Sequence, residues 1–143
     1  MNGEVKIRSF KRDDLDDLFR LSNQLSDAVK VERNVLEENI VRIAGKEDHV
    51  ILIAESDRRV VGYLSAYFHW AIYANGQVAY IDEIVVAKER RHRGIGTELL
   101  SQFERLAENR KCVLISLATA GAKAFYEKQE YRSKASYYKK YLK

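Results

Sequence analysis

Read from the amino end, the hydrophobic positions change period repeatedly, and each change marks an element. Val5, Ile7 and Phe10 sit among charged residues, which predicts a half-buried strand over 4–10. Leu15, Leu18, Phe19 and Leu25 then recur at helical spacing behind Asp13, Asp14, Asp16 and Asp17, carboxylates that suit the positive end of a helix dipole. Asn34 with Glu37 three residues on resembles a capping box for a second helix. Its apolar face is Leu36, Ile40, Ile43 and Ala44, and Gly45 is placed to end it. Residues 49–55 read as a strand, 56–59 as a polar turn and 60–70 as a longer strand, with Asn75-Gly76 as a hairpin signal into residues 78–86.

The stretch 80–86 is apolar and β-branched, and it runs into a basic turn holding Arg91, Arg93, Gly94 and Gly96. Leu99, Leu100, Phe103, Leu106 and Ala107 follow at helical spacing, predicting a helix from about 96 to 110. The run 112–118, CVLISLA, has no polar alternation, which predicts a strand covered on both faces and so central in its sheet. Residues 122–129 read as a short helix. In 131–142, tyrosines alternate with Lys and Ser, predicting one or two closing strands. The order β-α-α-β-β-β-α-β-α-β is an α/β (α+β) arrangement, a mixed sheet with helices on its faces.

Composition narrows the class. At 143 residues the chain is long enough for one core, and residues 1–143 read as a single domain. No apolar run approaches the roughly 20 residues of a membrane span, and the amino end lacks a signal-peptide shape. One cysteine, Cys112, excludes an internal disulfide and reads as a buried, inert thiol. These features together point to a cytoplasmic protein. Residues 1–60 hold 11 Lys/Arg against 13 Asp/Glu, and residues 61–143 hold 14 against 8. The basic half contains the glycine turn, as an anionic ligand favours, but no dense basic helix marks a nucleic-acid surface. His49 and His69 lack metal-ligand partners at useful spacing.

A strand, a basic glycine turn and a helix start form an anion site, because the helix N-terminus offers unpaired N–H groups and the positive dipole end. The dinucleotide fingerprint fails at Leu99, where a third glycine is required, and no Gly-Lys-Ser/Thr P-loop exists. Arg91, Gly94 and Gly96 do fill Arg/Gln-x-x-Gly-x-Gly/Ala. Further on, Thr119, Ala122, Phe125, Tyr126, Glu127, Lys128, Glu130 and Tyr131 parallel Asn-x-x-Ala-x-x-Phe-Tyr-Glu-Lys-x-Gly-Phe/Tyr. These two motifs resemble those of the GNAT superfamily of N-acetyltransferases. The likeness is good over 50–143 and holds in outline over the first 45 residues. The run Ile81 to Val86 also looks like the branch acetylating small amines, aminoalkylphosphonate N-acetyltransferases included. Three departures stand out: Thr119 for asparagine, Glu130 for glycine, and Lys88 where proline is common.

What the resemblance implies is a mostly antiparallel central sheet of six to seven strands, splayed after the fourth, and acetyl-CoA as cosubstrate. The pyrophosphate would lie on the amides of Arg91, His92, Arg93, Gly94, Ile95, Gly96 and Thr97. The pantetheine arm would pair with the backbone of Ile84, Val85 and Val86, beside Thr119 and Phe125, and an N–H near Val86 would face the thioester oxygen. Glu83 is the expected base, sharing a strand face with Ile81 and Val85, whose apolar company would raise its pKa. Asp82, on the opposite face, is the alternative, and Tyr126 is the expected acid toward the CoA thiolate. The acceptor is a primary amine, most simply a small molecule. A protein N-terminus or lysine, or an acyl-CoA sensor without turnover, are the other readings. The family also implies a homodimer, while the short apolar runs and the spread-out basic charge argue against membrane and nucleic acid as partners.

Overall fold

The computed structural model describes residues 4–24 and 30–143. The expected place of Leu25 in the first helix's apolar stripe therefore lies outside the described residues. Five strands form one sheet in the order β1 (Lys6–Ser9), β2 (His49–Ser56), β3 (Arg59–Ala71), β4 (Gly76–Val86) and β5 (Leu114–Leu117). The first three pairings are antiparallel and β4 with β5 is parallel. Helices α1 (Leu15–Ser22) and α2 (Arg33–Ile43) lie between β1 and β2, α3 (Ile95–Asn109) follows β4, and α4 (Lys123–Lys128) follows β5.

Two apolar layers cover the sheet. Leu52, Ala54, Leu64, Phe68, Ala79 and Ile81 bury against Leu99, Leu100 and Phe103 of α3 and Tyr126 of α4. On the other face Ile51, Ile53, Tyr63 and Val85 meet Leu18 and Leu21 of α1 and Ile40 of α2. Strands β2 and β3 are thus apolar on both faces because both faces are covered.

Turn chemistry explains most of the boundaries. Asp57 and Arg58 both hold positive φ (53° and 63°), as a two-residue hairpin turn between β2 and β3 demands. The next hairpin works differently from the expected Asn-Gly turn. The loop is 72–75, Asn75 alone takes positive φ, and Gly76 opens β4. A Cβ on Gly76 would stand 2.7 Å from Val113 Cγ1, so this glycine serves close approach and not turn geometry. Helix α2 starts one residue before Asn34, with Glu32 as its N-cap and no side-chain cap bond, so the capping box does not form. It ends as expected at Gly45, whose φ is +83°.

Two expectations are overturned at the carboxyl end. Among the described residues the sheet has five strands, not six to seven: residues 132–143 form no ladder and all are exposed. In consequence β5, expected at the centre, is the last strand of the sheet, with Val113 and Leu114 exposed. An apolar run signals burial on two faces only when another element arrives to cover it. Cys112 lies before the strand, half-buried, and its Sγ–H donates to Gln77 Oε1 at 3.7 Å. Burial pushes its thiol pKa up, so it stays protonated.

Candidate active site

Strand β4 is paired along its whole length with β3, yet with β5 only from Val78↔Leu114 to Ile81↔Leu117. Beyond Ile81 the two parallel strands part, which is the splay the sequence led us to expect. Ala87 N–H donates to Val61 O at 2.8 Å, so Ala87 faces β3. Backbone groups alternate between strand edges. Val85 therefore also faces β3, while Ile84 and Val86 turn theirs to the open edge. Of the three residues expected to pair with a pantetheine arm, only these two are free to do so. The Val86 carbonyl already accepts from Arg91 Nε at 3.1 Å.

A β-bulge shapes the opposite face. Ser65 pairs with Glu83 and Ala66 with Ile81, leaving Asp82 as an extra residue. One extra residue reverses the side-chain alternation. Glu83 and Val85 point to the α1/α2 layer, while Ile81 points to α3, so Glu83 and Ile81 do not share a face. Nor is Asp82 opposite Glu83. It lies near enough to Glu83, Tyr67, Tyr80 and His49 to interact with their charges. Burial first, and then the Glu83 carboxylate, push the Asp82 pKa up. The environment expected for Glu83 was purely apolar. It instead includes a donor: the Tyr63 hydroxyl, almost completely buried, donates to Glu83 Oε1. Burial and that carboxylate raise the Tyr63 pKa far above its ordinary value. Nothing in the sequence marked Tyr63, although its place two residues from Ser65 on the facing strand follows once the register is known.

At the open end of β4 the chain makes a short 3-10 turn over Lys88–Arg90 and then α3 begins. His92 and Gly94 hold positive φ (65° and 83°), with Gly94 as the N-cap. A Cβ on Gly94 would meet nothing within 4 Å, so the backbone there is open to a ligand. Gly96 differs: a Cβ there would touch the Phe125 ring at 3.4 Å, so its smallness admits α4. Arg91, His92 and Arg93 are exposed, Ile95 is buried, and Thr97 Oγ1 accepts from Gln129 Nε2 at 3.4 Å. Thr119 Oγ1 accepts from Ala122 N–H at 3.1 Å and thereby shapes the entry to α4. Phe125 and Tyr126 meet edge-to-face at 5.0 Å. Burial pushes the Tyr126 phenol up to about 12. Glu130, standing for glycine, takes φ +68° and carries the strain of that position.

A family model described as the acetyltransferase (GNAT) family matches residues 12–131. The chain belongs to the GNAT acetyltransferase family. Its cosubstrate is acetyl-CoA and its activity acetyl-CoA-dependent N-acetylation. An uncharacterized N-acetyltransferase of Archaeoglobus fulgidus is 26% identical over 137 residues, covering 90% of this chain and 93% of that one. The thialysine N-epsilon-acetyltransferase of Mus musculus is 27% identical over 126 residues, 80% of this chain and 74% of its own. Among solved structures, the glucosamine-6-phosphate N-acetyltransferase of Arabidopsis thaliana superposes with a TM-score of 0.85 at 22% identity, over 98% and 99% of the two chains. Among the described residues no cluster of His, Cys, Asp and Glu suits a metal, and no helix is long and apolar enough to cross a membrane.

Proposed function

We propose that this GNAT chain transfers the acetyl group of acetyl-CoA to the primary amine of a small molecule, by direct attack. The observation that carries the reading is the gap between β4 and β5 beyond Ile81, where backbone groups of Ile84 and Val86 that no strand pairs run toward the N-terminus of α3, the Val86 carbonyl held by Arg91 alone. A pantetheine arm adds there as a strand would. Its pyrophosphate lies on the amides of residues 91–97, with Arg93 as charge partner and Arg91 shared with the Val86 carbonyl. Thr119 and Phe125 flank the arm.

The amine nitrogen bonds the acetyl carbon, the carbon–sulfur bond breaks, the amine's proton passes to Glu83 and the thiolate takes a proton from Tyr126. Tyr63 holds Glu83 by its hydroxyl. With its pKa near 12, Tyr126 is protonated at neutral pH, as a donor must be, though it gives its proton less readily than a free phenol. Asp82, beside Glu83 and close to Tyr67 and Tyr80, gives the acceptor side an acidic and aromatic character suited to a cationic amine. The small-molecule acceptors named for the thialysine and glucosamine-6-phosphate relatives support that class.

The test is thermal melting with and without acetyl-CoA, then thiol release across polyamines, amino acids, amino sugars, aminophosphonates and peptides. Stabilisation by acetyl-CoA with turnover of a small amine is expected. Turnover of peptides alone sinks the small-molecule reading, and stabilisation without any turnover sinks the enzyme. With the acceptor in hand, Glu83→Gln should lower kcat about 100-fold or more, the scale of a lost general base. Tyr126→Phe should lower kcat by less. Both should keep the acetyl-CoA melting increment.

A further inference from the structure

The open edge of β4 and the start of α3 are joined by a turn whose backbone is pinned. Lys88 N–H donates to Gln24 Oε1 at 3.1 Å and Arg90 N–H to Ala87 O at 2.8 Å. Beyond the turn such ties are missing. The N–H groups of Ile95, Gly96 and Thr97 make no backbone hydrogen bond among the described residues, and the first helical bond runs from Glu98 N–H to Gly94 O at 3.0 Å. Unpaired donors at a helix start, with Arg93 beside them, suit a pyrophosphate. Arg91 is exposed, and its Nε turns back to donate to the Val86 carbonyl at 3.1 Å. Its terminal amino groups make no hydrogen bond or ion pair among the described residues.

That single bond lies on the strand side of the junction. Val86 turns its carbonyl to the edge that β5 leaves, because Ala87 N–H is bonded to Val61 O on the other side. The same carbonyl is the last of β4 before the turn, and the Val86 side chain lies against the α3 start, 3.9 Å from where a Cβ of Gly96 would stand. A chain that adds to this edge as a strand does needs that acceptor, and Arg91 holds it. A pyrophosphate on the α3 amides offers the guanidinium a stronger partner, since a forked, charge-assisted contact outweighs one bond to a neutral carbonyl. With the turn backbone pinned by Gln24 and Ala87, side-chain torsions alone carry Arg91 from carbonyl to phosphate.

We propose that Arg91 is a specificity-determining residue for the acyl donor: it bars the open edge of β4 to a pantetheine chain that brings no pyrophosphate, and it yields that edge to one that does. The proposal rests on the placement of the pantetheine arm along β4 given above and adds a selection to it. A donor carrying the nucleotide diphosphate draws Arg91 off Val86, and the new phosphate contact offsets the broken bond. Plain pantetheine must break the same bond with nothing in return. The diphosphate end and the acyl end of the donor are thereby coupled through one side chain.

Titration calorimetry of the full chain with coenzyme A and with pantetheine tests this. In Arg91→Met pantetheine should bind about two- to tenfold more tightly than in the parent, the range of one net hydrogen bond, and coenzyme A no more tightly. The pantetheine gain should not vary with salt, because that ligand is uncharged. Arg93→Met removes a charge that holds no carbonyl, so it should weaken coenzyme A and leave pantetheine unchanged. Arg91→Ala should repeat the sign of Arg91→Met and replaces it if that variant does not fold. Pantetheine that binds the Arg91 variants no more tightly than the parent, binding to none of them included, overturns the proposal. An equal gain in Arg93→Met does the same. A parent chain that coenzyme A does not bind would sink the placement of the arm as well, whereas a parent that binds it, with no pantetheine gain at Arg91, sinks the selection alone.

Discussion

Two helix starts in this molecule are built from opposite charges, and they have opposite fates. At α1 Asp14, Asp16 and Asp17 are answered from within the chain. Arg8 grips Asp14 with two N–H groups at 2.8 Å each, Lys11 N–H adds a third bond at 2.8 Å, and Arg8 Nε reaches Glu55 at 2.7 Å. Asp16 pairs with Arg33 at 2.6 Å and Asp17 with Arg20 at 3.1 Å. At α3 the basic residues face outward: among the described residues His92 and Arg93 make no ion pair, Arg91 holds a carbonyl, and Gly94 leaves open space. Charge already answered from within the chain is architecture. Charge left unanswered over an open helix start awaits a ligand, here a phosphate-bearing one.

The largest expected effect lies on the closed side. Arg8→Met strands Asp14, which is 3% exposed, and should cost about 3 kcal/mol in urea unfolding. The acetyl-CoA melting increment should not change. Burial alone would raise the Asp14 pKa, but the bonds from Arg8 and Lys11 outweigh it and the net shift is downward. A carboxyl lowered by folding adds stability above its unfolded pKa near 4, and that stability fades as pH falls through the lower folded value. Intact protein should therefore lose stability steeply below about pH 4, and Arg8→Met should show a shallower slope there. An equal slope in both would mean that another carboxyl governs acid unfolding.

On the open side the signature reverses. Arg93→Glu should leave unfolding within about 0.5 kcal/mol of the parent, as exposed substitutions do. It should weaken coenzyme A binding by about 1–2 kcal/mol, roughly tenfold, because an attractive exposed charge becomes a repelling one. Titration calorimetry at two salt concentrations checks this, and the difference should shrink at the higher one. If Arg93→Glu instead unfolds the protein at unchanged affinity, the two helix starts are not different in kind.

How far the sequence disclosed these features depends on how local they are. The α3 turn was legible because a basic glycine stretch between an apolar strand and an amphipathic helix is local chemistry, and Gly94 does sit where a left-handed residue is needed. The splay came from the family resemblance and from no local residue pattern, since it depends on where β4 and β5 stop pairing. The bulge at Asp82 was not legible: IDEIVV reads as plain alternation, and only the pairing of Ser65 with Glu83 and Ala66 with Ile81 reveals the extra residue. That single residue misplaced Ile81, Asp82 and the surroundings of Glu83 together. Tyr63 was hidden because its role depends on a partner 20 residues away. At the carboxyl end the alternating tyrosines predicted closing strands, and residues 132–143 join no sheet. Strand propensity belongs to the segment, while pairing belongs to the edge it finds.

The smallest effect sharpens the contrast within the open turn itself, because its two glycines do different jobs. Gly94→Ala places a Cβ at φ +83° and should cost about 1 kcal/mol through backbone strain, with no clash to relieve. Gly96→Ala lies in the first turn of α3, where alanine gains up to about 1 kcal/mol of helix propensity over glycine. Against that gain stands one contact, 3.4 Å from the new Cβ to Phe125 Cζ, on a ring that is only partly buried and free to shift by tenths of an ångström. The two nearly cancel, so Gly96→Ala should lie within about 0.5 kcal/mol of the parent by urea unfolding. Should Gly96→Ala prove the costlier of the pair, the seating of α4 on α3 holds this corner together. The left-handed turn at Gly94 would then be the lesser constraint on where the amides of residues 91–97 point.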